Sequence, residues 1–370
     1  MSCNREWIFI DDSLDEAEAF AAQLNTTGDI SVKVLLPAQA REKLLSGDIA
    51  PSGVLVDVDL SSVPGEMGTG PGVAQDIRVK QRAKNIAEFP LVRFAALAPV
   101  QQNVSGDPSS DDLFDLKIQK EELRQGSEKI VSRLIGLREI YDALESLDLA
   151  THSNLSPILN YPEDKSRIWS HEGFESRVLS SLQTAAHIAA GVLIRSFINP
   201  TGLLLDESLL AIRLGISAED SGESWKNLIS TLPFKFTGIG ADYFPRWWSR
   251  GLEEWWFETV DSSSPLVSLT IEERITALEK NLGCTGLSAL EMPEGSPGSR
   301  PWRICSLSLE GNDARVVPID PSYAVRLMPA VDLPSWVDPL QASPKYALQN
   351  KGDLRLNRAD IAKFLRKGQA

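Results

Sequence analysis

The 370-residue chain is poor in the residues that build thiol and zinc chemistry. It has three cysteines (Cys3, Cys284 and Cys305) and three histidines. An odd, widely spaced set of cysteines gives neither a disulfide framework nor metal-type spacing. Basic side chains are also in deficit, 37 against 51 acidic ones, for a net charge of −14. That sign argues against general nucleic-acid binding, which rests largely on neutralising phosphates. Long apolar runs are missing too. The most apolar stretch, 185–198, contains His187 and Arg195 and is too short to span a bilayer. The N-terminus lacks a signal-peptide pattern. A reducing cytoplasm is the expected setting, and no membrane contact is expected.

What remains is ordinary globular material, 42% hydrophobic and 24% charged, with length for two or three domains. Its most informative feature is where certain acids fall. Trp7-Ile8-Phe9-Ile10 runs straight into Asp11-Asp12. Val54-Leu55-Val56 runs straight into Asp57, with Asp59 two residues on. Apolar runs of this length suit parallel strands buried on both faces. Carboxylates at their ends need a reason, because unpaired buried charge is costly. In open parallel sheets the carboxyl ends of the strands form the ligand crevice. Acids gathered there suit a hard divalent cation such as Mg²⁺.

Helices alternate with these strands. Ser13 to Glu16 reads as a capping box opening a helix with Leu14, Ala17, Ala21 and Leu24 on one face. Ile30 to Leu36 reads as an edge strand, and Ala38 to Leu45 as a short helix stopped at Ser46-Gly47. Val73 to Arg82 is a further helix. Leu91 to Leu97 and Leu113 to Ile118 complete five strands. The order predicts an α/β fold, a doubly wound parallel sheet with right-handed crossovers.

These residues carry a family resemblance over about the first third of the chain. The segment resembles the receiver domain of bacterial two-component response regulators, a flavodoxin-like five-stranded fold. The matching signature is Ile8-Phe9-Ile10-Asp11-Asp12, then Val54 to Leu60, a Gly-rich stretch to Gly72, Arg78, Pro90 to Ala96, and Phe114-Asp115-Leu116-Lys117. The resemblance implies Asp57 as phosphoryl acceptor, Asp11 and Asp12 with Asp57 as Mg²⁺ ligands, and Lys117 paired with the phosphoryl oxygens, Lys120 lying nearby. The departures imply a degenerate receiver. Ala95 stands where the family has Thr or Ser. Ser61-Ser62-Val63 replaces the usual Pro, and Pro64 to Pro71 lengthens that loop. Ala98 to Asp112 lacks helical periodicity. Arg93 sits in a strand expected to be buried.

The domains expected are 1–125, receiver-like; 126–150, a connector helix; 151–292, mainly helical and Trp-rich; and 293–370, a C-terminal α+β segment. Within 121–149, Ile130, Leu134, Leu137, Tyr141, Leu144 and Leu147 form one stripe, which suits a connector or a homodimerisation helix. Arg177 to Phe197 reads as a helix, and Asp206 to Leu214 as another stopped by Gly215. Ala211 to Ser217 resembles the turn of a helix-turn-helix. The following segment, Ala218 to Trp225, is acidic and lacks base-reading donors, so DNA reading is not expected.

Six of nine Trp residues lie between Trp169 and Trp256. Arg246, Trp247 and Trp248 are the candidate partner-binding residues, since such side chains dominate hot spots. Core filling is the competing reading. Neither Gly68 to Gly72 nor Gly238 to Gly240 is followed by a phosphate-loop Lys. Residues 303–309 and 314–319 flank Glu310 to Asp313 as a hairpin. Asn357 to Asp360 caps a terminal helix in a basic segment. No catalytic constellation emerges, so a non-enzymatic role is expected. The expected function is a signalling regulator, its receiver-like domain coupled to a helical effector and partnered by a kinase or other signalling protein. The alternatives are an adaptor that uses the fold only for docking, and a transcription factor.

Overall fold

The computed structural model describes residues 5–60, 68–96, 112–147, 154–162, 165–310, 314–329 and 332–367. The departures expected at 61–67 and 98–111, and the hairpin tip at 311–313, lie outside them. The chain forms two compact units. The first comprises Met1–Asn160, Glu172–Ser196 and Thr237–Phe244, and the second Tyr161–His171, Phe197–Phe236 and Pro245–Ala370.

The first unit is built on a five-stranded parallel sheet. In chain order its elements are β1 (Glu6–Ile10), α1 (Leu14–Asn25), β2 (Ser31–Leu35), α2 (Pro37–Ser46), β3 (Gly53–Val56), α3 (Gly70–Arg82), β4 (Leu91–Ala95) and β5 (Leu116–Gln119). The sheet order is β2-β1-β3-β4-β5, every pair parallel. That is the flavodoxin-like order, whose reversal point lies between β1 and β3. The Ser31–Leu35 strand stands at the end of the sheet order and is only partly buried, while β1 and β3 are buried almost throughout.

Local chemistry sets the helix ends. Pro37 opens α2, and Gly47, at φ +82°, closes it, the asymmetry expected of those residues. Thr69 caps α3, its Oγ1 accepting from the Gly72 amide at 3.2 Å. The capping box expected at Ser13 does not form. Instead the Asp11 carboxylate accepts the Ser13 amide at 2.8 Å, which fixes the turn that leads into α1.

One sheet face packs Ile8, Ile10, Val54, Val56 and Leu91 against Ala40, Leu44, Val73 and Ile77. The other carries Phe9 and Phe94 edge to face, centroids 5.3 Å apart, worth about 1 kcal/mol beyond their burial. Helix α4 (Ser127–Ser146) buries Ile130, Leu134, Leu137, Tyr141 and Leu144 within this unit. The stripe weighed as a dimer contact is thus covered inside the unit.

A closed polar network crosses the same core. Asp115 Oδ2 accepts from Arg78 Nη2 at 2.7 Å, Tyr141 OH at 2.9 Å and the Leu91 amide at 2.9 Å. Arg78 also donates to Gln81 Oε1 at 2.8 Å and the Leu113 carbonyl at 3.0 Å.

The helix expected over 177–197 breaks in two. Helix α5 (Glu172–Leu182) ends, and α6 (Ala186–Leu193) restarts after an extended Ala185. Ala185 cannot cap. Glu88 does so from afar, accepting the Ala186 and His187 amides at 3.0 and 2.7 Å and meeting His187 Nδ1 at 2.8 Å.

The second unit is mainly helical, with α7 (Glu207–Leu214), α8 (Ala218–Thr231), α9 (Ser249–Trp255), α10 (Ile271–Leu282) and α11 (Arg358–Lys367). Short antiparallel pairs join 204–205 to 247–248, 303–304 to 318–319, and 325–326 to 341–342. Asp206 caps α7, its Oδ1 accepting from the Leu209 amide. Gly215 ends α7 at φ +74°, as a helix stop requires. Arg213 is 2% exposed and pairs with Asp338 at 2.9 Å, so the one cation of the helix-turn-helix-like segment is spent inside the unit. Gly222, at φ +47°, kinks α8.

Candidate functional site at the sheet's carboxyl edge

The site grows from the ends of β1, β3 and β5. Asp11 follows β1 and is 1% exposed; Asp57 follows β3 and is half-buried. Lys120 follows β5 at once. Its Nζ lies 3.0 Å from Asp11 Oδ2 and 3.5 Å from Asp57 Oδ2. Its ammonium also sits 5.8 and 5.4 Å from the Phe9 and Phe20 ring centres. These rings hold it in place and screen it from water.

The sequence reading therefore misplaces the lysine. Lys117 lies within β5, where Leu116 and Ile118 face inward and Lys117 outward. Strand alternation turns its side chain away from the acids, and Lys120, one step past the strand, reaches them instead. The expected trio of acids is brought together only in part. Asp11 and Asp57 share Lys120, while Asp12 is half-buried beside them in sequence. Among the described residues, no group of three or more His, Cys, Asp or Glu stands ready to hold a metal. The donor chemistry nonetheless fits a hard cation, since every candidate ligand is a carboxylate.

One ammonium serving two carboxylates leaves negative charge in surplus. Burial pushes the Asp57 carboxyl up, and Asp11 adds to this against the pull of Lys120, so that it titrates at about 6. Lys120 is held above its ordinary range: burial opposes this, but the bonds to Asp11 and the charge of Asp57 outweigh it. At neutral pH Asp57 is mainly ionised and shares its one ammonium with Asp11.

Gly70 is a site residue the sequence reading passes over. A Cβ there would overlap the Asp57 carbonyl oxygen, and the Gly70 amide donates to the Val58 carbonyl at 3.0 Å. The only sequence signal is its place in the Gly68 to Gly72 run. At the end of β4, Ala95 is half-buried and offers no hydroxyl, and Arg93 is half-buried as well.

Of the other candidate residues, the two tryptophans lie in the second unit's core. Trp247 and Trp248 are 3% and 2% exposed. Trp248 meets Tyr161, Trp169, Phe197 and Phe236 at centroid distances of 5.5–5.9 Å. Arg246 donates from Nε to the Ile198 carbonyl at 2.7 Å. Burial depresses its pKa. The two tryptophans fill a core, while Arg246 is half-buried beside them.

No protein-family model matches the chain, and no curated protein sequence matches it. Among solved structures, it is similar to the N-terminal domain of a response regulator/sensory box/GGDEF three-domain protein from Carboxydothermus hydrogenoformans. That match has 22% identity and a TM-score of 0.29, covering 37% of this chain and 97% of the other. It is also similar to a CheY-like response regulator receiver domain from Methylobacillus flagellatus, at 16% identity and TM-score 0.28, over 35% of this chain and 98% of the other. A third is a response regulator from Burkholderia pseudomallei with a phosphorylated aspartic acid, at 15% identity and TM-score 0.24, over 51% of this chain and 92% of the other. The N-terminal part of the chain has, by its own sheet order, the flavodoxin-like five-stranded fold. Among the described residues no helix is long and apolar enough to cross a membrane.

Proposed function

We propose that the protein is a signal-transduction regulator whose first unit accepts a phosphoryl group at Asp57 and relays it weakly. The observation behind this is the convergence of Asp11, Asp57 and Lys120 at the sheet's carboxyl edge. The Asp57 carboxylate attacks phosphorus, and the donor's leaving group departs with the bonding pair. Lys120 Nζ stands where it neutralises charge on the transferred group. Asp11, Asp12 and Asp57 would hold Mg²⁺, which screens the charge between nucleophile and phosphoryl oxygens. With Ala95 at the end of β4, no hydroxyl follows the new group, so β4 receives little of the signal. Kinases or other signalling proteins are the partners this reading calls for. It assigns the second unit to partner binding.

The test is incubation of the full chain with acetyl phosphate and Mg²⁺, followed by intact mass and native chromatography. Slow addition of one phosphoryl group, absent in Asp57→Asn and without change of oligomeric state, is expected. Rapid stoichiometric labelling with a new oligomer would show full switching. Equal labelling of Asp57→Asn would remove Asp57 from the reaction.

A further inference from the structure

The second unit contains a cavity of about 230 Å³ beside α9. Edges of the largely buried rings of Trp169, Phe234 and Trp255 line part of it, with two prolines, Glu254 and Glu258 among the other lining residues. Phe234 and Trp255 lie 5.7 Å apart with planes at 50°. Gly251 also lines it. A Cβ there would overlap Phe234 and stand 3.1 Å from Trp169 Cζ2, so the glycine lets both rings close in. Past Trp255 the helix widens into a π-turn, Trp256–Val260, a distortion common at functional sites. Glu258 and Thr259 stand on that turn.

The cavity already shows which charge it prefers. Lys165 Nζ sits 3.2 Å from Glu254 Oε2 and 3.9 Å from Glu258 Oε1. Glu254 is fixed in place by the Trp169 indole, which donates to it at 3.0 Å. Two carboxylates face one ammonium, leaving a net negative wall beside three aromatic rings. Aromatic rings and carboxylates together suit an alkylated ammonium, which gains cation–π attraction and is weakly hydrated. The volume is below that of drug-sized pockets, which selects a head group over a large ligand.

We infer that this cavity binds a quaternary ammonium head of the choline type, and that Lys165 is an internal competitor the ligand displaces. An amino-acid betaine is disfavoured, because its carboxylate would meet Glu254 and Glu258.

Isothermal titration of the full chain with choline, tetramethylammonium, glycine betaine and a trimethyllysine amide tests this at matched ionic strength. Saturable one-to-one binding of choline and tetramethylammonium is expected, with glycine betaine at least tenfold weaker. Lys165→Met should tighten choline about tenfold. Glu258→Gln, on a mostly exposed side chain, should weaken it several-fold, and Glu254→Gln more so. Choline binding above trimethyllysine assigns a free compound; the reverse assigns a methylated side chain. Absence of choline and tetramethylammonium binding in both wild type and Lys165→Met overturns the inference. So does binding that neither glutamate substitution changes.

Discussion

Two buried charge clusters share the first unit, and they are balanced differently. Around Asp115, one arginine, one phenol and one amide converge on a single carboxylate oxygen, and the arginine's remaining donors reach other acceptors. Around Asp57, one lysine divides itself between two acids. The first arrangement resembles a structural brace: satisfied, enclosed, with Arg78 6% and Asp115 4% exposed. The second leaves two carboxylates with one shared ammonium at the carboxyl end of the sheet. Buried polar groups are normally paired in full, and the surplus of one negative charge at the strand ends is what sets the proposed site apart from the brace.

Breaking the brace should have the largest effect. Arg78→Met strands Asp115 and should cost about 3–5 kcal/mol in urea unfolding. The paired change Arg78→Met with Asp115→Leu should recover part of that. If the single change proves silent, the brace carries no stability. Removing the shared cation comes next. Lys120→Met leaves Asp11 and Asp57 facing each other and should cost about 2 kcal/mol at pH 7.5, a loss that shrinks toward pH 5 as Asp57 takes a proton.

Asp57→Asn should act in the opposite direction. The folded carboxyl titrates at about 6 against an ordinary 3.8, so the fold binds a proton more readily than the unfolded chain. The Asp57 contribution to stability therefore rises as pH falls through 6 toward 4, and the charged form weighs on the fold above that window. Neutral Asn removes this weight, and thermal melts at pH 7.5 should show a gain of about 1–2 kcal/mol, diminishing at pH 4.5. Mg²⁺ should raise the wild-type melting temperature more than the mutant's. A mutant that melts lower, with a wild type indifferent to Mg²⁺, would leave the acids without a metal role.

Glu88 supplies the smallest effect and the contrary pH sign. Burial pushes its carboxyl up, but the His187 ring and the amides of 186 and 187 outweigh this and hold it below the ordinary value. Its stabilisation is present above the unfolded pKa and is lost as pH falls. Glu88→Gln should cost about 1 kcal/mol at neutral pH, and less as the pH falls below the ordinary glutamate value of 4.5. Equal costs at neutral and acid pH would show that the charge of Glu88 is immaterial.

The strands and their acids were legible because apolar runs ending in carboxylates leave a local trace at Asp11 and Asp57. The lysine was not, because a three-residue shift along β5 decides whether Lys117 or Lys120 reaches them, and both occur in the same short segment. The brace around Asp115 was hidden for a different reason. Arg78, Asp115 and Tyr141 come from three separate elements, and only the folded sheet brings them together. The same holds for Glu88, whose capping of α6 splits an otherwise continuous helical pattern. The Trp247-Trp248 pair carried an ambiguous signal, since hot spots and cores draw on the same side chains.

The contrast between the two clusters rests most directly on the ionisation of Asp57. Carboxyl ¹³C NMR of the full chain, with the Asp57 resonance assigned from Asp57→Asn, follows that group alone through pH 3–9. A midpoint near 6 is the expected result and marks an under-compensated acceptor. A midpoint at or below the ordinary aspartate value near 3.9 would mean that Lys120 fully satisfies Asp57, and the site would then be a second structural brace.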